Sequence, residues 1–224
     1  MSTRKSSFFN MVSTLVLVTG GAALALGFVY QWTKEPIAQA KIEKQMRAIR
    51  SVTGEYTNDP LSEAYQVARD KGEGQRFRHK EPTNEEQAKG EKKSEEVLTF
   101  YPAKLTNDQQ ITAISAYSDN GYSGRIELMV GIDENGAVRN IEVVSHLETP
   151  GLGSKIKDQD FIEQFIGKTA DDFDMRVTND GGEVDGISGA TISSRAFCEA
   201  VQQALDAFNE TKDEKRNNLS GNLN

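Results

Sequence analysis

Apolar residues are spaced differently along the chain, and each change of spacing marks a different element. Residues 11–30 are almost continuously apolar and lie within 28 residues, between Lys5 and Lys34, that carry no charge. A helix of about 20 such residues spans about 30 Å, the thickness of the bilayer's hydrocarbon core. Tyr30 and Trp32 stand at its far end, where aromatic rings favour the interface. The pattern predicts an uncleaved membrane anchor. A signal peptide is the competing reading, since Arg4 and Lys5 form a basic start and Ala23-Leu24-Ala25 resembles a cleavage site. The apolar run continues past that point through Phe28, Val29 and Tyr30, which is long for a signal peptide. From Ile37 to about Val52, basic and apolar positions mix as in a solvated linker helix, and Gly54 ends it.

The next change is to charge. Residues 70–96 hold 15 charged side chains in 27 positions, with only Phe77 and Ala88 apolar. Such a stretch buries too little surface to offset its ordering entropy, so a solvated insertion is expected there, with no chemistry from His79. Order is expected to begin near Val97. Three runs then alternate apolar and polar residues as half-buried strands do, at 111–117, 124–132 and 138–145. Asp133-Glu134-Asn135-Gly136, between the last two, is a hairpin signal because Asn-Gly supplies the positive φ angles of tight turns. Phe161, Phe165 and Ile166 suggest a short helix. A final helix runs from about Ser193 to Phe208, with Phe197, Val201, Leu205 and Phe208 on one face, and the polar tail beyond Asn209 is expected to fray. The fold class is therefore α+β. Its expected divisions are an N-terminus and anchor (1–33), a linker helix and charged insertion (34–96), a folded domain (97–208) and a flexible tail (209–224).

Composition removes several kinds of chemistry. With 26 basic and 34 acidic residues in 224, the chain has a net charge of −8, against the basic face that nucleic-acid binding needs. One cysteine, Cys198, cannot form an internal disulfide, a zinc cluster or an iron–sulfur site, and two histidines, His79 and His146, leave little for a metal centre. Hydroxyls, carboxylates, backbone groups or a bound organic cofactor remain. Basic residues flank the apolar helix on both sides: Arg4 and Lys5 before it, and Lys34, Lys41, Lys44, Arg47 and Arg50 after it. Counted literally, these put the folded domain in the cytoplasm, but charges on a folded helix weigh less than those of a short loop, and charge alone leaves the orientation open.

Two stretches hold the candidate chemistry. Residues 146–153, His-Leu-Glu-Thr-Pro-Gly-Leu-Gly, follow the third alternating run, and residues 185–194, Asp-Gly-Ile-Ser-Gly-Ala-Thr-Ile-Ser-Ser, precede the last helix. The second is a loop of small residues ending in hydroxyls at a helix N-terminus, where unpaired amides and the helix dipole favour an anion such as phosphate. Its glycines let a ligand approach the backbone. The first offers turns that can present backbone groups and Leu152 to a flat ring. Simpler readings compete with these: Ser193 or Ser194 as an N-cap, and Thr149-Pro150-Gly151 as an ordinary turn. Residues 186–190 nearly match a hydrolase nucleophile elbow around Ser188, but Ala190 replaces the last glycine and no histidine follows.

Taken together, Ser188-Gly189-Ala190-Thr191, the 146–153 stretch, Asn179-Asp180-Gly181-Gly182 and Gly121-Tyr122-Ser123-Gly124 resemble the FMN-binding domain. That domain is shared by the G subunit of the Rnf electron-transport complex and the C subunit of the sodium-pumping NADH:quinone reductase. The modest length and the Gly-Tyr-Ser-Gly run favour the former, with the latter as the alternative. The resemblance implies FMN esterified through its phosphate to Thr191 by a separate flavin transferase, with Asp185 serving transferase recognition. It places Ser188, Gly189, Ala190 and Ile192 around the linkage and Glu148, Thr149, Leu152 and Gly153 against the isoalloxazine. Tyr122 and Lys155 are further candidates for ring or phosphate contacts. It implies other membrane and redox subunits as partners, ferredoxin:NAD⁺ electron transfer coupled to Na⁺ or H⁺ transport, and a domain outside the bacterial cytoplasmic membrane. A reading of another class is an anchored, non-redox module that binds FMN or another phosphate ligand reversibly.

Overall fold

The computed structural model describes residues 8–70 and 95–221, so most of the charged 70–96 stretch, including His79, lies outside the described residues. The chain divides into two compact units, residues 1–45 and 46–224.

The first unit is helical. Helix α1 spans Phe8–Thr53 without interruption, so the expected anchor and linker helices are one element that continues through Pro36. Proline removes one backbone donor and crowds the carbonyl four residues back, but the helical turns on either side hold the rest of the ladder. The apolar part is long enough to cross a membrane, and its side chains are exposed. Thr14, Thr19 and Thr33 each donate a hydroxyl to the carbonyl four residues earlier, at 2.8 Å, which hides their polar groups from an apolar surround.

The second unit is built on a five-stranded antiparallel meander in the order β1 to β5, each strand beside its neighbours in sequence. The strands are β1 (Tyr65–Asp70), β2 (Glu95–Lys104), β3 (Gln110–Ser118), β4 (Ile126–Asp133) and β5 (Val138–Ser145). The three alternating runs of the sequence correspond to β3, β4 and β5. Order begins earlier than Val97, because β1 pairs with β2 from Tyr65↔Phe100 to Asp70↔Glu95. Between β4 and β5, Gly136 takes a φ of 91° while Asn135 has no positive φ. The turn therefore needs one left-handed residue rather than the two that Asn-Gly suggested. The Asp133 carboxylate secures it, accepting from the Asn135 and Ala137 amides at 2.9 and 3.0 Å.

One sheet face carries the main core. Leu98, Phe100, Ile114, Leu128, Val130 and Ile141 pack against helix α3 (Thr191–Gly221) through Phe197, Val201 and Leu205, the stripe expected from the sequence. A short helix α2 (Gln159–Ile162) and the 3₁₀ turn Glu163–Phe165 close one end. There, the rings of Phe161, Phe165 and Phe197 meet with centroids 5.1 to 5.7 Å apart. Helix α3 continues past Asn209, where the polar tail was expected to begin, to Gly221; Thr211 is half-buried, and Lys212 donates to the Glu134 carbonyl at 2.9 Å.

The opposite face is covered by the last turns of α1, where Ala48, Ile49 and Val52 pack on Tyr101, Ala113 and Met129. Helix and strand approach so closely that a Cβ at Gly131 would lie 2.5 Å from the Val52 carbonyl oxygen. Gly54 ends the helix as expected, with a φ of 84° and its amide bonded to the Arg50 carbonyl at 2.9 Å.

Candidate functional site

The 121–124 loop before β4, the 146–153 loop after β5 and the 185–194 segment entering α3 come together at one end of the sheet. In the last of these, the Ala190 amide bonds the Ile187 carbonyl at 2.9 Å, with Gly189 in a left-handed conformation (φ 77°) inside the turn. The Ser194 hydroxyl accepts from the Ile187 amide at 3.0 Å and donates to the Ala190 carbonyl at 3.1 Å. The first helical backbone bond runs from the Ser194 amide to the Ala190 carbonyl, so Thr191, Ile192 and Ser193 form a first turn whose amides have no acceptor within the helix. Ser193 and Ser194 are buried within that turn and are not its N-cap.

The 146–153 loop folds back on itself. The amides of Leu152 and Ser154 both reach the Thr149 carbonyl at 3.2 Å, and the Gly151 amide donates to the Ser154 hydroxyl at 2.9 Å. Gly153–Lys157 then forms a 3₁₀ turn. A Cβ at Gly189 would sit 3.3 Å from Leu152 Cδ2, which places the Leu152 side chain directly beside the backbone that leads to Thr191. Leu152 and Ile192 are 47% and 46% exposed and Tyr122 is 71% exposed, large apolar surfaces left open around a polar helix start.

Glu148, the candidate ring contact on this loop, is held by the two other segments. It is buried, and its carboxylate accepts from the Ser193 hydroxyl at 2.6 Å and the Ser123 amide at 3.1 Å. The remaining candidates lie on the surface or just beneath it. Thr149, Ser188 and Lys155 are exposed, Thr191 is half-buried, and Gly153 and Ala190 are buried. Asp185 holds Gln164 through its backbone, with amide and carbonyl bonds of 2.7 and 3.3 Å, and is itself exposed.

Nothing in the sequence pointed to the ion pair between Arg195 and Asp180, whose two bonds of 2.6 and 2.7 Å tie the second turn of α3 to the Asn-Asp-Gly-Gly turn. The hydrogen bond to Asp180 raises the Arg195 pKa above its ordinary value. The glycines at 181 and 182 fit the turn: Gly181 has a φ of 82°, and a Cβ at Gly182 would overlap the Arg176 carbonyl. A cleft of about 580 Å³ lies elsewhere, lined by Asp171, Asp172, Asp174, Arg176 and Glu183 among others. Its carboxylates form no metal-holding group among the described residues. At the site itself, Tyr122, Leu152 and Ile192 form an exposed surface near the start of α3.

This surface fits a flat, partly apolar ring joined to a phosphate: open apolar side chains stand beside first-turn amides and a threonine hydroxyl. Fold and site define an FMN-binding domain carried behind an apolar helix, and residues 121–206 match the family model of the FMN-binding domain. The G subunit of the ion-translocating oxidoreductase complex of Escherichia coli (strain K12) is 34% identical over 197 residues, 85% of this chain and 86% of that protein. Its counterpart in Aliivibrio fischeri (strain ATCC 700601 / ES114) is 40% identical over 117 residues, 50% of this chain. That alignment spans 56% of the relative, little more than half its length. The chain belongs to the family of G subunits of the ion-translocating oxidoreductase complex. The crystal structure of Shewanella oneidensis NqrC, at 14% identity, covers 79% of this chain and 99% of its own with a TM-score of 0.47.

Proposed function

We propose that this protein is the electron-carrying G subunit of a membrane complex that couples ferredoxin:NAD⁺ electron transfer to Na⁺ or H⁺ translocation, with FMN held covalently through a phosphoester on Thr191. Family membership supports the complex and its redox character. The observation that carries the site is the position of Thr191, the first residue of α3 and of its unbonded first turn, with Leu152 beside the preceding Gly189 and both Leu152 and Ile192 exposed. FMN, when attached, supplies one- and two-electron chemistry at its ring.

The chain's own part is to hold and orient. The amides of Thr191, Ile192 and Ser193 face the phosphate, where the helix dipole favours negative charge. Leu152, Ile192 and Tyr122 lie against the ring, while Thr149 and Gly153 set the turn that presents Leu152. Ser188, Gly189 and Ala190 form the turn that leads into Thr191, and Lys155 adds a positive charge on the Gly153–Lys157 turn. Asp185 stands exposed ahead of the motif, where a flavin transferase would meet it. Maturation by such an enzyme agrees with a threonine that has no neighbouring base in sequence to activate it. Residues 1–33 serve as the anchor in a bacterial cytoplasmic membrane, with the FMN domain on its outer side. The protein has no separate catalytic activity; it passes electrons between redox centres of its partners.

The test is in-gel fluorescence after co-expression with a flavin transferase and denaturation. The wild-type band should fluoresce under ultraviolet light, and Thr191→Val should abolish the signal. A fluorescent Thr191→Val band would move the attachment elsewhere. A dark wild-type band would leave reversible FMN binding as the reading.

A further inference from the structure

Among the described residues, Glu148 is the one acidic residue in the buried set, 4% exposed, and it lies where three segments of the site meet. Its Oε2 accepts from the Ser193 hydroxyl at 2.6 Å, and its Oε1 accepts from the Ser123 amide at 3.1 Å. Its own amide donates to Nδ1 of His146 at 3.2 Å, which fixes the start of the loop. The backbone is shaped around this carboxylate. A Cβ at Gly121 would come within 2.7 Å of Oε1, and one at Gly153 within 2.6 Å of both Oε2 and the Ser193 hydroxyl. Side chains at either position would displace the carboxylate. Each of the three segments also carries exposed apolar surface: Tyr122 on the first, Leu147 and Leu152 on the second, and Ile192 on the third.

We infer that Glu148 is a positioning residue whose two carboxylate oxygens join the 121–124 loop and the first turn of α3 to the 146–153 loop, so that Thr191 and its apolar neighbours share one geometry before any flavin is attached. This rests on the reading of Thr191 as the attachment site. Burial gives the arrangement its strength. An amide or hydroxyl left without a partner inside the protein loses more than the bond itself, so removing the carboxylate destabilises both segments that donate to it. A glutamine can keep both contacts, since its oxygen accepts from the Ser123 amide and its amide donates to the Ser193 hydroxyl, which then accepts. Alanine can keep neither.

Amide hydrogen exchange on the full-length protein in detergent, before and after treatment with a flavin transferase and its flavin donor, tests this. In Glu148→Ala without flavin, exchange across 121–124 and 187–194 should quicken at least tenfold while β3 and β4 are unchanged. Covalent flavin gained in a fixed time should fall at least tenfold. Glu148→Gln should bring both back to within about twofold of wild type, a rescue that a simple loss of packing would not show. Ser193→Ala should loosen 187–194 and leave 121–124 as it was, which keeps the test open if the alanine at 148 does not fold. Wild-type exchange in Glu148→Ala, or a glutamine variant as loose as the alanine one, overturns the inference. A wild-type protein that gains no covalent flavin overturns the Thr191 reading instead, and the exchange measured without flavin still decides the role of Glu148.

Discussion

The core between the sheet and α3 and the surface around Thr191 are packed in opposite senses. In the core, apolar side chains such as Phe197, Leu128 and Val130 are fully buried. Around Thr191 the polar groups of Glu148, Ser193 and Ser194 are buried, and the apolar Tyr122, Leu152 and Ile192 face outward. The core needs nothing more to be complete, because apolar burial is its own driving force. The side chains of Glu148, Ser193 and Ser194 are bonded to one another or to nearby backbone, while the apolar surface beside them is left to something else. A surface of this kind is stable without its ligand and gains by receiving a flat ring.

Three measurements would break or sharpen that contrast. Phe197→Ala removes a ring that touches both Phe161 and Phe165, and should cost about 3–5 kcal/mol in denaturant unfolding. A loss below about 1 kcal/mol would mean that the aromatic cluster does little to hold α3 in place.

Cys198 gives an intermediate effect. Burial raises its pKa above the ordinary 9.0, so the folded thiol keeps its proton where the unfolded one ionises. Its contribution to stability is present below pH 9 and declines above it, because the unfolded state then binds fewer protons, at about 1.4 kcal/mol per pH unit. At pH 10 wild type should therefore have lost about 1.4 kcal/mol more than Cys198→Ala, each against its own value at pH 8. Equal losses would show that the thiol reaches water in the folded state.

Leu152→Ser should change stability least, by about 0.5 kcal/mol or less, because the side chain is already half exposed. The flavin attached to that variant should nonetheless tumble more freely, seen as lower fluorescence anisotropy than in wild type. A large stability loss with unchanged anisotropy would place Leu152 with the core rather than with the site.

How much of this was legible depends on the range of each interaction. Strands β3 to β5 and the apolar stripe of α3 were readable because alternation and helical spacing are local, and Gly54 because a helix end is a local event. Strand β1 was missed although Tyr65 and Val67 alternate, since its far end runs into the charged stretch and its partner, β2, lies beyond it. The extension of α3 depends on contacts such as Lys212 with Glu134, 78 residues away, which no local pattern encodes. At the site, the residue types around Thr191 could be named from the motif, but their roles could not. Glu148 could be read only as a candidate ligand contact in its loop, and its bonds within the protein were not legible. Its partner Ser193 is 45 positions away, and only the fold brings a hydroxyl to it.

The closure of α1 on the sheet has a practical side. The boundary between the two units falls after Gln45, inside a helix, and the residues that follow it belong to the domain's second core. A water-soluble fragment cut at the natural-looking stop of Gly54 would strip Ala48, Ile49 and Val52 from Tyr101, Ala113 and Met129. It would leave a sheet face bare and prone to stick to its copies. A fragment that begins at Met46 keeps the last two turns of the helix as a built-in lid, and is the one to purify for spectroscopy or crystals.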